Sequence, residues 1–136
     1  MSDDRTPPPT VWPTLRATDA RALITFLVDA FGFVEVAAHG DGERIEHAEL
    51  AWPEGGGVML GSDRRDGSPW NLKPGTFGCY VVTAEPDALY ARATAAGAEI
   101  LQELHETGYG SRGFAARDPE GNLWSFGTYR GEPRPV

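Results

Sequence analysis

The chain opens its ordered part with an extended segment, VWPTLRA, and then changes period. In TDARALITFLVDAFGF the residues Ala22, Phe26, Leu27 and Ala30 recur at helical spacing, Asp19 is placed to cap the start, and Gly32 is placed to end the turn-by-turn pattern. Three strand-like runs follow: FVEVAAH before the turn GDGE, RIEHAELAW before PEGGG, and VMLGS after it. The stretch RRDGSPWNLKPGT mixes turn formers with charge and predicts a loop. The pattern then repeats. FGCYVV predicts a strand, and PDALYARATAAG a helix with Pro86 in its first turn and Gly97 at its end. AEILQELHE predicts a further strand, and GFAARD with NLWSFGTY a hairpin across Pro119, Glu120 and Gly121.

Each half therefore reads β-α-β-β-β, with the helix-ending glycines Gly32 and Gly97 in corresponding places. Four strands with one helix cover only one face of a sheet, so two such modules set side by side predict an α+β fold: helices outside and a concave mixed sheet within. The inner face is where a ligand belongs. The expected organisation is a tail at 1–9, one domain at 10–129 and a second tail at 130–136. Within the domain, module one spans 10–63, a loop 64–75 and module two 76–129.

Composition narrows the function. No apolar run approaches a membrane span, and the acidic, proline-rich start MSDDRTPPPT is not a secretory signal, so a cytoplasmic protein without membrane contact is expected. A formal charge of -8 argues against nucleic acid and disfavours an anionic ligand. The single cysteine, Cys79, reads as a small buried hydrophobe with no redox role. No Gly-x-Ser-x-Gly, phosphate-binding glycine loop or Cys-x-x-Cys is present, and EGGGVM joins two strands rather than opening a helix.

The two βαβββ modules, the ending DPEGNLWSF, the AAGA after the second helix and the segment from Tyr109 to Phe114 together resemble the vicinal oxygen chelate superfamily, in particular its glyoxalase and bleomycin-resistance branch. That resemblance implies a fold more firmly than an activity. The family's metal enzymes hold a divalent ion on four strands, and the resemblance places those four positions on Trp12, Glu49, Gly78 and Ser125. An indole offers no lone pair to a metal, glycine has no side chain, and a neutral serine is a poor replacement for a carboxylate. No metal and no cofactor are expected, and the residues favour binding over catalysis.

With those four positions facing inward, strand alternation adds Thr14, His47 and Tyr80 to the same side, while Trp124 and Phe126 anchor their strand to its helix. Tyr109 is a hydrogen-bond donor for a cavity mouth, Trp70 a lid or interface residue, and Arg112 and Arg16 either rim charges or salt-bridge partners. An aromatic pocket with one carboxylate suits a flat molecule, cationic ones included. The leading expectation is metal-independent sequestration of a small aromatic ligand such as an antibiotic, by a homodimer sharing two clefts. Two alternatives stand beside it: a glyoxalase- or dioxygenase-like enzyme with a metal displaced to His47 and Glu49, and a protein-interaction module presenting Trp70.

Overall fold

In a computed structural model, residues 8–64, 66–108 and 110–135 are described; most of the expected tail at 1–9 lies outside them. The chain runs β1 (Thr14–Ala17), α1 (Ala20–Phe31), β2 (Val34–Asp41), β3 (Arg44–Ala51), β4 (Gly57–Ser62), β5 (Gly78–Val82), α2 (Pro86–Ala95), β6 (Glu99–Glu106), β7 (Arg112–Arg117) and β8 (Leu123–Gly127). Two four-stranded sheets form, ordered β1-β4-β3-β2 and β5-β8-β7-β6. In each, the first strand pairs in parallel with the last and the other pairings are antiparallel. The fold is α+β, built from two βαβββ modules of one topology. Among the described residues no helix is long and apolar enough to cross a membrane.

Local chemistry sets the element ends. The Asp19 side chain accepts the Ala22 N–H at 3.1 Å at the start of α1. Gly32 (φ 84°) and Gly97 (φ 83°) both take the left-handed conformation that ends the helical path without a Cβ clash. The buried stripe of α1 is Leu23, Ile24, Leu27, Ala30 and Phe31. Ala22, assigned to that stripe from spacing, faces solvent instead. The helix rotates so that the larger Leu23 and Ile24 are buried, which removes more apolar area from water.

The helix-bearing faces of both sheets share one core. Phe31 at the end of α1 lies 5.8 Å from the Trp124 ring and 4.6 Å from Phe126, both on β8. Phe126 stacks on Phe114 at 5.1 Å, and Tyr90 of α2 meets Phe114 edge-on at 5.2 Å. Trp52 sits between Phe33 and Phe126, and its indole N–H donates to the Val82 carbonyl at 2.8 Å. Trp124 and Phe126 therefore anchor β8 to the helix of the other module rather than to its own. Each buried Phe contributes about 2 kcal/mol by transfer alone, so these rings hold the modules together.

Candidate functional site

Alternation leaves each sheet with one covered and one open face. Leu15, Leu50, Leu60, Trp124 and Phe126 are buried beneath the helices, and their strand neighbours point the other way. On the first sheet, Glu49 stands opposite Ala37 on β2 and Met59 on β4, and Met59 stands opposite Thr14 on β1. The Trp12 ring lies over Gly57, where a Cβ would come within 2.9 Å of it. His47 Nε2 is 2.9 Å from Glu49 Oε2. Trp12, Thr14, His47 and Glu49 are thus brought together on one open face.

On the second sheet, Ser125 stands opposite Tyr80 on β5 and Ala115 on β7, and Gly78 stands opposite Leu123. Tyr80 and Leu123 are 46% and 48% exposed. The Tyr80 hydroxyl donates to the Tyr129 carbonyl at 2.7 Å, with its ring lying over Gly127. Gly78, Tyr80 and Ser125 share this face.

Two candidates lie elsewhere, and a third is not among the described residues. Arg112 alternates with Gly113 and turns to the covered side, where its Nε and Nη2 bond the Asp87 carboxylate at 2.8 and 3.1 Å. That pairing raises the Arg112 guanidinium from its ordinary value and holds the Asp87 carboxyl below its own. Trp70 is 62% exposed in the loop, its backbone N–H bonded to Ser68 Oγ. Tyr109 lies outside the described residues.

Among the grooves that the described residues form at the seam between the modules, two border β1 and β5. One of about 320 Å³ runs between β1 and the start of β5, lined by Thr14, Arg16, Leu72, Lys73, Phe77 and Gly78 among others. The second, about 290 Å³, joins the start of β1 to the end of β5 and includes Val11, Trp52, Glu54, Cys79 and Tyr80. Glu49 and Ser125 line neither. Cys79 is half-buried, and burial pushes its thiol up. Lys73 was missed from sequence, because a lysine in a turn-rich loop carries no signal of what the loop folds against.

The sequence profile of the Glyoxalase/Bleomycin resistance protein/Dioxygenase superfamily matches residues 10–126. The chain belongs to that superfamily. Within it, the uncharacterized protein Mb0911c of Mycobacterium bovis is 31% identical over 126 residues, which is 88% of this chain and 82% of that protein. The crystal structure of TioX from a Micromonospora species superposes with a TM-score of 0.69 at 32% identity, covering 86% of this chain and 97% of that one. TnmS3, an antibiotic binding protein from a Streptomyces species, shares the fold with a TM-score of 0.66 at 22% identity, covering 83% of this chain and 88% of that one.

For a member of the glyoxalase superfamily, the donor set does not fit a divalent ion at the four positions carried over from its metal enzymes. Trp12 and Gly78 offer no ligand atom, Ser125 only a neutral hydroxyl, and the one carboxylate, Glu49, is already hydrogen-bonded to His47. Among the described residues no three His, Cys, Asp or Glu side chains converge into a group able to hold a metal. What the open faces do offer is aromatic surface beside small residues: Trp12 over Gly57 on one, Tyr80 over Gly127 on the other.

Proposed function

We propose that this protein binds a small aromatic molecule, of the kind represented by aromatic antibiotics, without using a metal. The observation that carries this reading is the replacement of ligand atoms by an indole, a glycine and a hydroxyl at Trp12, Gly78 and Ser125. The surfaces there stack and hydrogen-bond flat molecules rather than coordinate ions. TnmS3 supports it as an antibiotic binding protein on the same fold. In the proposed assembly a second copy covers the open faces: Val34, Tyr80, Leu101 and Leu123 leave more apolar surface in water than a soluble monomer favours. Sequestration of this kind would give the host resistance to the molecule bound.

Titration of a panel of aromatic antibiotics against intrinsic tryptophan fluorescence tests the pocket. Trp12→Ala is expected to weaken binding about tenfold or more. Binding that survives this substitution unchanged, in a variant that melts like the parent, removes the proposed pocket.

The placing of His47 and Glu49 side by side on one open face leaves one second reading, in which a metal breaks their hydrogen bond and is held by the pair together with groups from a partner copy. Metal analysis of protein purified without chelators decides it: an ion near one per chain, lost in Glu49→Gln, would replace the metal-free reading.

A further inference from the structure

We propose that the seam between β1 and β5 is a peptide-binding slot, in which a short, extended peptide backbone pairs with both strands at once. This goes beyond the aromatic-binding reading and does not depend on what stacks against Trp12. Each of the two strands lies at the edge of its sheet and is paired on one side only, β1 with β4 and β5 with β8. The Pro13 and Ala17 carbonyls accept the Met59 and Asp63 N–H groups at 2.9 and 2.8 Å, so the odd-numbered residues of β1 face β4. The Phe77 carbonyl accepts the Leu123 N–H at 3.0 Å, and the Thr83 N–H donates to the Gly127 carbonyl at 2.9 Å, so the odd-numbered residues of β5 face β8. The backbone N–H and C=O groups of Thr14, Arg16, Gly78, Tyr80 and Val82 are therefore turned to the seam.

Little within the chain meets them. The Trp52 indole N–H donates to the Val82 carbonyl at 2.8 Å, and the Cys79 thiol stands 3.8 Å from the Tyr80 carbonyl. Among the described residues, the seam-facing backbone groups of Thr14, Arg16 and Gly78 and the N–H groups of Tyr80 and Val82 have no hydrogen-bond partner. Both grooves lie between these edges. One brings Thr14 and Arg16 beside Phe77 and Gly78, and the other brings Val11 and Pro13 beside Cys79 and Val82. β1 and β5 thus run in opposite directions across the seam, and an inserted strand is parallel to one and antiparallel to the other. At the ordinary spacing of about 4.8 Å from each, it joins the two four-stranded sheets into one. Its side chains alternate between the open faces and an apolar floor of Leu15, Phe77 and Val81. Donors and acceptors repeating every second residue on both walls match an amide backbone rather than a ring or a single charge. The free stretch is short, because beyond Tyr80 the Trp52 indole takes the Val82 carbonyl and Glu54 lies 3.7 Å from Arg130 in the same groove. A peptide of about four or five residues fits strands of that length.

The probe is acetyl-Thr-Val-Tyr-Val-Thr-amide, with two versions N-methylated on alternate residues, which remove the donors along one edge or the other and keep every side chain. The parent peptide is expected to bind, and each N-methylated version to bind about tenfold more weakly or worse. Amide exchange followed by NMR locates the peptide: the Arg16 and Tyr80 N–H groups should exchange fast in the free protein and slowly in the complex. The amides of the outer edge strands, β2 and β6, should keep their free-state rates. Gly78→Pro removes a seam-facing donor at the first residue of β5 and should weaken the parent peptide, and the N-methylated peptides keep the test decisive if that variant fails to fold. Failure of the parent peptide to bind overturns the proposal, as does protection that arises on β2 or β6 instead. Equal affinity for all three peptides overturns it too, since a peptide held only by its tyrosine ring would not distinguish them, and the aromatic reading would then stand alone. Arg16 and Tyr80 amides that are already slow without peptide would mean that the chain fills its own seam, and the slot would be gone.

Discussion

The Trp124 indole N–H donates to Asp118 Oδ2 at 2.8 Å, six residues back across the last hairpin. The same oxygen accepts the Asn122 side-chain amide at 2.8 Å, while Oδ1 accepts the backbone N–H groups of Glu120 and Asn122 at 2.9 and 3.0 Å. Asn122 Oδ1 in turn accepts the Phe77 N–H at 3.0 Å and so ties β5 to the hairpin. Asp118, Asn122 and Trp124 are all buried, so every one of these donors depends on the carboxylate or amide for its partner. Asp118→Ala removes the acceptor of four donors, two backbone and two side-chain, and is expected to cost about 3 kcal/mol or more. Trp124→Phe removes one donor while keeping most of the apolar volume, and should cost less. Urea denaturation measures both; an Asp118→Ala loss below about 1 kcal/mol would contradict the network.

Gly113 and Gly127 stand opposite each other on β7 and β8, yet they need to be glycine for different reasons. A Cβ on Gly113 would collide with the Phe126 backbone carbonyl, which cannot move without breaking the strand pairing. A Cβ on Gly127 would meet the Tyr80 hydroxyl at 2.9 Å, and a side-chain tip can swing away. Gly113→Ala is therefore expected to destabilise by about 3 kcal/mol. Gly127→Ala should cost about 1 kcal/mol, the worth of the Tyr80–Tyr129 hydrogen bond. Thermal melts of the two variants give the comparison; equal losses would show that the Tyr80 ring is as fixed as the backbone.

Element order was legible because its signals are local: a capping Asp19, positive-φ glycines at 32 and 97, Pro86 in a first turn, and period-two strands between turns. Which sheet face carries each of Glu49, Ser125 and Tyr80 also followed from alternation. What was not legible was the identity of partners far along the chain: a salt bridge was one of the two readings of Arg112, but nothing local named its carboxylate. Arg112 turned to Asp87, 25 residues away, and Phe31 reached Trp124 in the other module.

The Asp87–Arg112 pair sets a direction for stability against pH. Its hydrogen bond to Arg112, and then the Arg112 charge, hold the Asp87 carboxyl below its ordinary value. A depressed carboxylate contributes stability that is fully present above its unfolded value, near about pH 4, and is lost as pH falls through the folded value. Melting temperatures of the parent and Asp87→Asn should therefore differ at pH 6 and converge on acidification below about pH 4. Both groups are exposed, so the difference should be small and should shrink further with salt. A gap that widens at low pH would reverse the sign assigned to the pair.

Both ends of α1 are satisfied by the other module. At its start, Glu120 Oε1 and Oε2 accept the Thr18 and Asp19 N–H groups at 2.8 and 2.9 Å. At its end, Arg92 donates to the Asp29 and Val28 carbonyls at 2.9 and 3.0 Å. A carboxylate at the N-terminus and a guanidinium at the C-terminus complement the helix dipole, each adding about 1 kcal/mol where exposed. Glu120→Ala is expected to release both amides and lower stability by about that amount, whereas Glu120→Gln, which still offers one acceptor, should lose less. Arg92→Gln should weaken the other end independently, because twelve residues of helix set the two clamps about 18 Å apart. Amide hydrogen exchange separates a clamp from a general loosening. Protection should fall at Thr18 and Asp19 in Glu120→Ala while the amides of α2 keep theirs, and a uniform loss across both helices would mean that Glu120 supports the whole domain rather than the docking of α1.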